Sequence, residues 1–288
     1  MKARRRGDPY FMLAPTMVLL ALFFFYPLVY AFYRSLYAWD LLTPPRFIGL
    51  AHYRWLIESG ELAHTFAMTA LFSIVAVAGS TSVGLILALA LARPGRYFAF
   101  IRGAVFSAYV VSWVSVALLW LWVLDADAGI LSHLTRWLGL PTPDWLGDPD
   151  VAPYTLALVT AWKITGYAMV LFIAGLQDVP RSLIEAAALD GAGRLRTFSN
   201  VTWPLLRPTA AFVQITALIL SFQVFDVVRV MTQGGPSNST TFFVYAIYEQ
   251  IFQNLRVGRA SAEVVAFFFL LLALTGLQLW TWRRRGAV

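Results

Sequence analysis

Six long, largely apolar runs divide this chain, at 10–33, 65–92, 103–124, 153–176, 209–231 and 262–282. A helix needs about 20 such residues to cross a hydrocarbon core ~30 Å thick, and every run reaches that length. In lipid, every backbone N–H and C=O must find a partner within the protein, so the runs predict an all-α, polytopic membrane protein with about six spans. The charge content agrees. Only 13% of the 288 residues are Asp, Glu, Lys or Arg, where a soluble domain would carry about a quarter.

The net charge of +7 would suggest nucleic acid in a soluble protein. Here the basic residues sit between apolar runs and read as topology signals, so no nucleic-acid partner is expected. Lys2, Arg4, Arg5 and Arg6 precede the first run. Arg93, Arg96 and Arg102 lie between the second and third. Arg181, Arg194, Arg196 and Arg207 lie between the fourth and fifth, and Arg283, Arg284 and Arg285 follow the last. The intervening segment 125–150 is acidic, with Asp125, Asp127, Asp144, Asp148 and Asp150 against Arg136. Both termini and the segment 178–208 are therefore predicted on the cytoplasmic side of a plasma membrane. The basic start followed by an apolar run invites a signal-peptide reading. The run is longer than a signal core and no small-residue cleavage site follows, so an uncleaved first span is expected, bent at Pro15 and Pro27. The outer loops are short and rich in Trp39, Tyr53, Trp55, Trp137 and Trp145, residue types that anchor at membrane interfaces. A single transmembrane domain, 1–288, is expected.

The segment 178–208 is the polar exception among the apolar runs. It contains SLIEAAALDGAGRLRTFSNVTWPLLRP, from Ser182 to Pro208. Ser182 and Glu185 have the spacing of a capping box, and Glu185 to Leu189 favours helix. Asp190-Gly191 is a turn signal, with Gly191 able to take a left-handed conformation. A second short helix is expected over about 193–200, with Pro204 and Pro208 leading into the next run. By its residues alone the segment is either a docking element or a solvated connection.

The order Glu185-Ala186-Ala187, then Asp190-Gly191-Ala192, Phe198, Val201, Trp203-Pro204 and Pro208 closely resembles the EAA loop. That loop belongs to membrane subunits of binding-protein-dependent ATP-binding-cassette importers. The family prefers Ile where Val201 stands and Leu where Trp203 stands. The resemblance implies the type I importer permease fold, with Glu185, Ala186, Ala187, Asp190, Gly191, Ala192, Phe198 and Pro204 forming a cytoplasmic coupling loop that docks on an ATPase.

Charged residues inside the runs are the remaining candidates. Lys163 lies within the fourth run, beside Trp162 and four residues before Tyr167. A mid-membrane Lys costs about 2.5–3.5 kcal/mol on insertion scales; it either faces a cavity or partner, or snorkels to the interface. In the fifth run, Phe222, Gln223, Phe225 and Asp226 combine amide, carboxylate and aromatic groups that suit a polar solute, while Asp226 and Arg229 have the spacing of an intrahelical pair. Both readings stand. Glu263, four residues after Arg259, reads as an interfacial residue. Phe225-Asp226 followed by Thr232, Gly234-Gly235-Pro236, Asn238 and Thr240 closely resembles the first-type permease of carbohydrate importers. So do Trp162-Lys163 with Gly166, and the opening Phe24-Phe25-Tyr26-Pro27. This resemblance implies a sugar substrate, a second homologous permease subunit, an ATPase dimer and an external solute-binding protein, in a bacterial or archaeal inner membrane.

No catalytic constellation and no phosphate-binding Lys-Ser/Thr loop is present, so the chain is not expected to be an enzyme. With no Cys and with His52, His64 and His133 scattered over loops, neither metal nor cofactor is expected. The competing functions are an importer subunit for a non-sugar solute and, against the lack of an inverted repeat or ion relay, a secondary transporter.

Overall fold

The computed structural model describes residues 8–284. The first span runs through α1 (Asp8–Leu20), a π-helical turn (Ala21–Phe25) and α2 (Tyr26–Arg34). A two-residue hairpin follows, β1 (Tyr37–Ala38) paired antiparallel with β2 (Arg46–Phe47), then α3 (Ala51–Glu58) and α4 (Glu61–Leu91). Next come α5 (Arg96–Val110), α6 (Trp113–Val123), α7 (Ile130–Trp137), α8 (Ala152–Gln177), α9 (Arg181–Leu189) and α10 (Arg194–Thr197). A π-helical turn (Phe198–Thr202) joins α10 to α11 (Trp203–Phe222), followed by α12 (Asp226–Met231), α13 (Phe243–Tyr248), a third π turn (Glu249–Gln253) and α14 (Val257–Arg284). The basic residues Lys2, Arg4, Arg5, Arg6 and Arg285 lie outside the described residues.

Among the described residues five helical stretches are long and apolar enough to cross a membrane, six if the pair α5 and α6, bent by 101°, is counted as one broken span. The predicted straight third span, 103–124, is thus two helices at nearly a right angle. The fifth run differs too. Its helix begins upstream, in a continuous stretch from Arg194 to Phe222, because a π turn widens the helix ahead of Pro204. It ends at Phe222, so Asp226 starts a separate helix.

The chain divides into two compact units. The first joins Met1–Leu62 with Ala246–Leu270. Its long first span has no buried side chain among those described and presents Met17, Val18, Leu22 and Phe23 outward; an apolar surface of that kind is stable only against lipid. Phe32 packs edge-on against Phe268 and Phe269, and the Tyr53 hydroxyl donates to Ser35 Oγ at 2.7 Å. At Gly258 the start of α14 lies directly against the Tyr37 carbonyl and the His52 ring, leaving no room for a side chain.

The second unit joins Ala63–Tyr245 with Leu271–Val288 and is built around α8. Ala168, Met169, Phe172 and Ile173 of α8 form one core with Ala88 and Leu91 of α4 and Leu206, Ala210 and Val213 of α11. Small residues set the spacing. A Cβ on Gly166 would lie 2.6 Å from the Val105 carbonyl oxygen, and one on Gly84 would lie 2.7 Å from the Cβ of Ala168. Helices in lipid gain little from apolar burial alone, so such close backbone contact supplies much of their association.

Candidate functional site: the coupling loop and the broken helices

The polar segment after α8 folds as two helices around a tight turn. Pro180 is the N-cap of α9, with ψ 126°, and no side chain caps the helix. The capping box expected from Ser182 and Glu185 is not formed: the helix starts two residues earlier than that box requires, at Arg181, which places Ser182 inside the first turn. The C-terminus matches its sequence signal. Gly191 has φ +77°, Ala192 N–H donates to the Ala187 carbonyl at 2.9 Å and Gly191 N–H to that of Ala188 at 3.1 Å. These are the two bonds of a Schellman motif, and they need a left-handed residue where Gly191 stands.

No residue of α9 is buried within this chain. Leu183 and Ile184 are exposed, and Leu189 and Leu195 show 89% and 85% of their surface. A nine-residue helix with no buried residue gains little from tertiary packing and is below the length that holds in water alone. Glu185, Ala186 and Asp190 are exposed beside those apolar side chains, Ala187 and Ala192 half-buried. Phe198, half-buried, packs its ring 6.2 Å from that of Trp203, and Pro204 occupies the first turn of α11. The loop is thus one rigid turn joined without a flexible linker to a membrane-crossing helix.

Lys163 faces partners within the chain. It is 1% exposed, and its Nζ donates to the carbonyl oxygens of Ala108 at 3.0 Å and Tyr109 at 3.2 Å and to that of Val111. These are the carbonyls left open where α5 stops. The ammonium also lies 4.7 Å from the centre of the Trp113 ring, at the start of α6. Lys163 therefore caps one half of the broken span and touches the other. Arg102 does the same for α4, donating from Nη1 to the Leu91 carbonyl at 2.7 Å and the Arg93 carbonyl at 3.1 Å. A cation at a helix C-terminus also complements the macrodipole.

The other path candidates are only partly brought together. Tyr167, one helical turn from Lys163, stacks on Tyr109 with ring centroids 4.9 Å apart. Trp162 turns to another face of α8, edge-on to Trp120, and lines a mostly apolar cavity of about 600 Å³ with Val105, Leu158 and Thr165. The Thr165 hydroxyl in that wall donates to the Ala161 carbonyl at 2.7 Å. Phe222 is 2% exposed. Gln223 closes α11 and is exposed, while Phe225 and Asp226 are half-buried at the start of α12. Phe225 stacks on Tyr245, 6.4 Å away.

The turn-rich loop after α12 holds itself by threonines. The hydroxyls of Thr232 and Thr240 lie 2.8 Å apart, Thr240 donates to the Gly235 carbonyl at 2.7 Å and Thr241 to that of Gly234 at 3.2 Å. Gly235-Pro236 is a cis peptide bond. The loop is tied to α4 twice: Phe243 N–H donates to Thr69 Oγ1 at 3.1 Å, and His64 Nε2 lies 3.2 Å from the Asn238 carbonyl.

Glu263 is 4% exposed, with no hydrogen-bond partner on either carboxylate oxygen among the described residues. It lies near the start of α14, on its small-residue face, among the buried Gly258, Ala260, Ser261 and Ala262, so it is packed inside the chain and not presented on its surface. The Ala-rich entry of α14 was the only sequence signal for this.

Residues 80–285 match the family described as "Binding-protein-dependent transport system inner membrane component". The chain is 34% identical to the sn-glycerol-3-phosphate transport system permease protein UgpA of Brucella abortus, over 94% of this chain and 92% of that one. It is 31% identical to the sulfoquinovosyl glycerol transport system permease protein SmoG of Agrobacterium fabrum, over 93% and 88%. Its fold matches a chain of a bacterial ABC transporter that imports the acidic polysaccharide alginate, with TM-score 0.81 and 22% identity, over 96% and 94%. The chain belongs to the binding-protein-dependent transport system inner membrane component family: it is a multi-span permease subunit rather than an enzyme.

Proposed function

We propose that the chain forms half of the translocation path of an ATP-driven importer for a sugar or polyol derivative, paired with a second, homologous permease subunit. An ATPase dimer receives α9 on the cytoplasmic side, and an external solute-binding protein delivers the solute to the opposite face. The exposure of α9 carries this reading: a short helix with a rigid C-terminal turn and an unpaired apolar face needs a partner surface. Glu185, Ala186 and Ala187 make the contact, Asp190, Gly191 and Ala192 fix its angle, and Phe198 with Pro204 pass displacement into α11. The carbohydrate-derived cargo follows the solutes that the relatives transport. Gln223 and Asp226, with Phe222 and Phe225 next to them in sequence and Trp162 and Tyr167 on α8, are the side chains of this subunit assigned to the path, and Lys163 supports it by capping α5. Nucleotide-driven closure of the ATPase then biases a two-state arrangement of the permease pair.

The test is purification of the tagged chain from its own membranes in mild detergent, with identification of every co-purifying protein. A second permease and an ATPase at two copies per complex are expected. A chain that purifies alone and transports in liposomes without ATP would overturn the proposal.

A further inference from the structure

Within the first unit a cleft of about 430 Å³ opens between the β-hairpin and the start of α14. Three guanidinium groups line it, those of Arg46, Arg256 and Arg259. The one carboxylate on its wall, Asp40, is committed to its own loop: Oδ1 accepts from the Leu42 N–H at 3.1 Å, the Thr43 N–H at 2.7 Å and the Thr43 hydroxyl at 2.8 Å. Those bonds hold the Asp40 carboxyl below its ordinary range and occupy Oδ1, so its single negative charge stands against three arginines.

The arginines are presented by fixed structure. Arg46 is on the paired strand β2. Arg256 follows Leu255, which has φ +54°, and its backbone N–H is tied to the Gln250 carbonyl at 2.7 Å. The Arg259 Cζ lies over the Trp55 ring, 4.0 Å from its centre. Arg256 repels Arg259, and Glu61 and Glu263 offset part of that charge; Arg46 adds a third guanidinium. Trp39 forms one wall and is itself backed by Arg34, 4.3 Å from the ring. His52 closes the floor, locked to the Tyr37 carbonyl at 3.1 Å. Planar guanidinium forks match the geometry of carboxylate, phosphate and sulfonate oxygens, and the volume is that of a small-ligand site.

We infer that this cleft binds a single oxyanion group, the acidic end of a small molecule. Such a group has two sources at a membrane surface, a free solute and the phosphate of a lipid headgroup. Any link from the site to uptake rests on the importer reading above; binding itself does not.

The test uses the purified wild-type complex in a maltoside detergent, which carries no phosphate group, titrated with inorganic phosphate and read by thermal unfolding, with chloride at equal ionic strength as the control. Saturable stabilisation by phosphate beyond that of chloride is expected. Arg46→Gln with Arg256→Gln should weaken the apparent affinity at least about tenfold, the loss of one or more charge-assisted bonds. In parallel, phosphate should protect Arg46 and Arg256 of the wild-type protein from phenylglyoxal, located by mass spectrometry, which needs no variant to fold. Nanodiscs containing phosphatidylglycerol separate the sources. If phosphate no longer binds there, a lipid headgroup occupies the cleft; if it still binds, the ligand is a free oxyanion. No phosphate effect beyond chloride together with no protection of the two arginines would overturn the inference. So would an effect that the double substitution leaves unchanged.

Discussion

Replacing Lys163 by Met should straighten the third crossing. Between 104 and 123 there is neither Gly nor Pro; the one local device at the 101° bend between α5 and α6 is Ser112, whose Oγ accepts from the Ser115 N–H at 3.4 Å and caps α6. Val111 and Ser112 are merely extended, with ψ of 144° and 142°. What distinguishes the bent state is the ammonium of Lys163 donating to three carbonyls at the end of α5. A hydrogen bond to a charged group is worth roughly 1.5–3 kcal/mol, and the bonds share one ammonium, so they are not additive. In the Met variant the bent state leaves those carbonyls without their donor, whereas a continuous helix supplies one for each from the next turn. The swing between bent and straight is then roughly 3–6 kcal/mol, or two to four powers of ten in their ratio.

The chain has no cysteine, so spin labels are placed cleanly through Phe100→Cys and Trp122→Cys, both at exposed positions. At about 1.5 Å per residue each label stands about 16 Å from the break, which gives about 21 Å between them when bent and about 33 Å when straight. Pulsed dipolar spectroscopy separates these distances. Lys163→Met should move the population to the longer one, and Lys163→Arg, with a charge but a planar fork in place of a compact ammonium, should restore only part of the shorter. A Met variant that keeps the short distance would refute the assignment of the bend to Lys163.

Other consequences are open to direct measurement. Gly191→Val places a β-branched residue at φ +77°, a strain of at least about 1–2 kcal/mol; it should change the angle of α9 and reduce uptake more than it reduces assembly, whereas normal uptake would count against a coupling role for the turn. Asp226→Ala should lower transport with subunit assembly intact, and unchanged transport would favour a purely structural role at the start of α12. His52, held below its ordinary value of 6.5 mainly by burial, favours its neutral form when folded. Its contribution to stability is therefore present above about pH 6.5 and lost as pH falls below it. Thermal unfolding of the wild type should show that loss between pH 7 and 5, and His52→Asn should flatten it.

The apolar runs were legible because lipid leaves the backbone so few solutions, and the turn at Asp190-Gly191 because a left-handed residue has few substitutes. The breaks were not. The third crossing reads as one span because it is apolar and no Gly or Pro interrupts it between 104 and 123; Ser112 caps the start of α6, but the ammonium that takes up the open carbonyls of α5 lies more than 50 residues away in sequence, on α8. Local propensity carries no trace of such a partner. The same holds for Ser182, a good N-cap that Pro180 pre-empts two positions earlier, and for the burial of Glu263 among small residues. Each concerns a polar group whose partner or burial is set by tertiary packing. A charged residue in an apolar run can be expected to face a cavity, a partner or the interface, but its neighbours in sequence do not say which. The open carbonyls of a helix that ends within an apolar run are one such partner, and Lys163 reaches them.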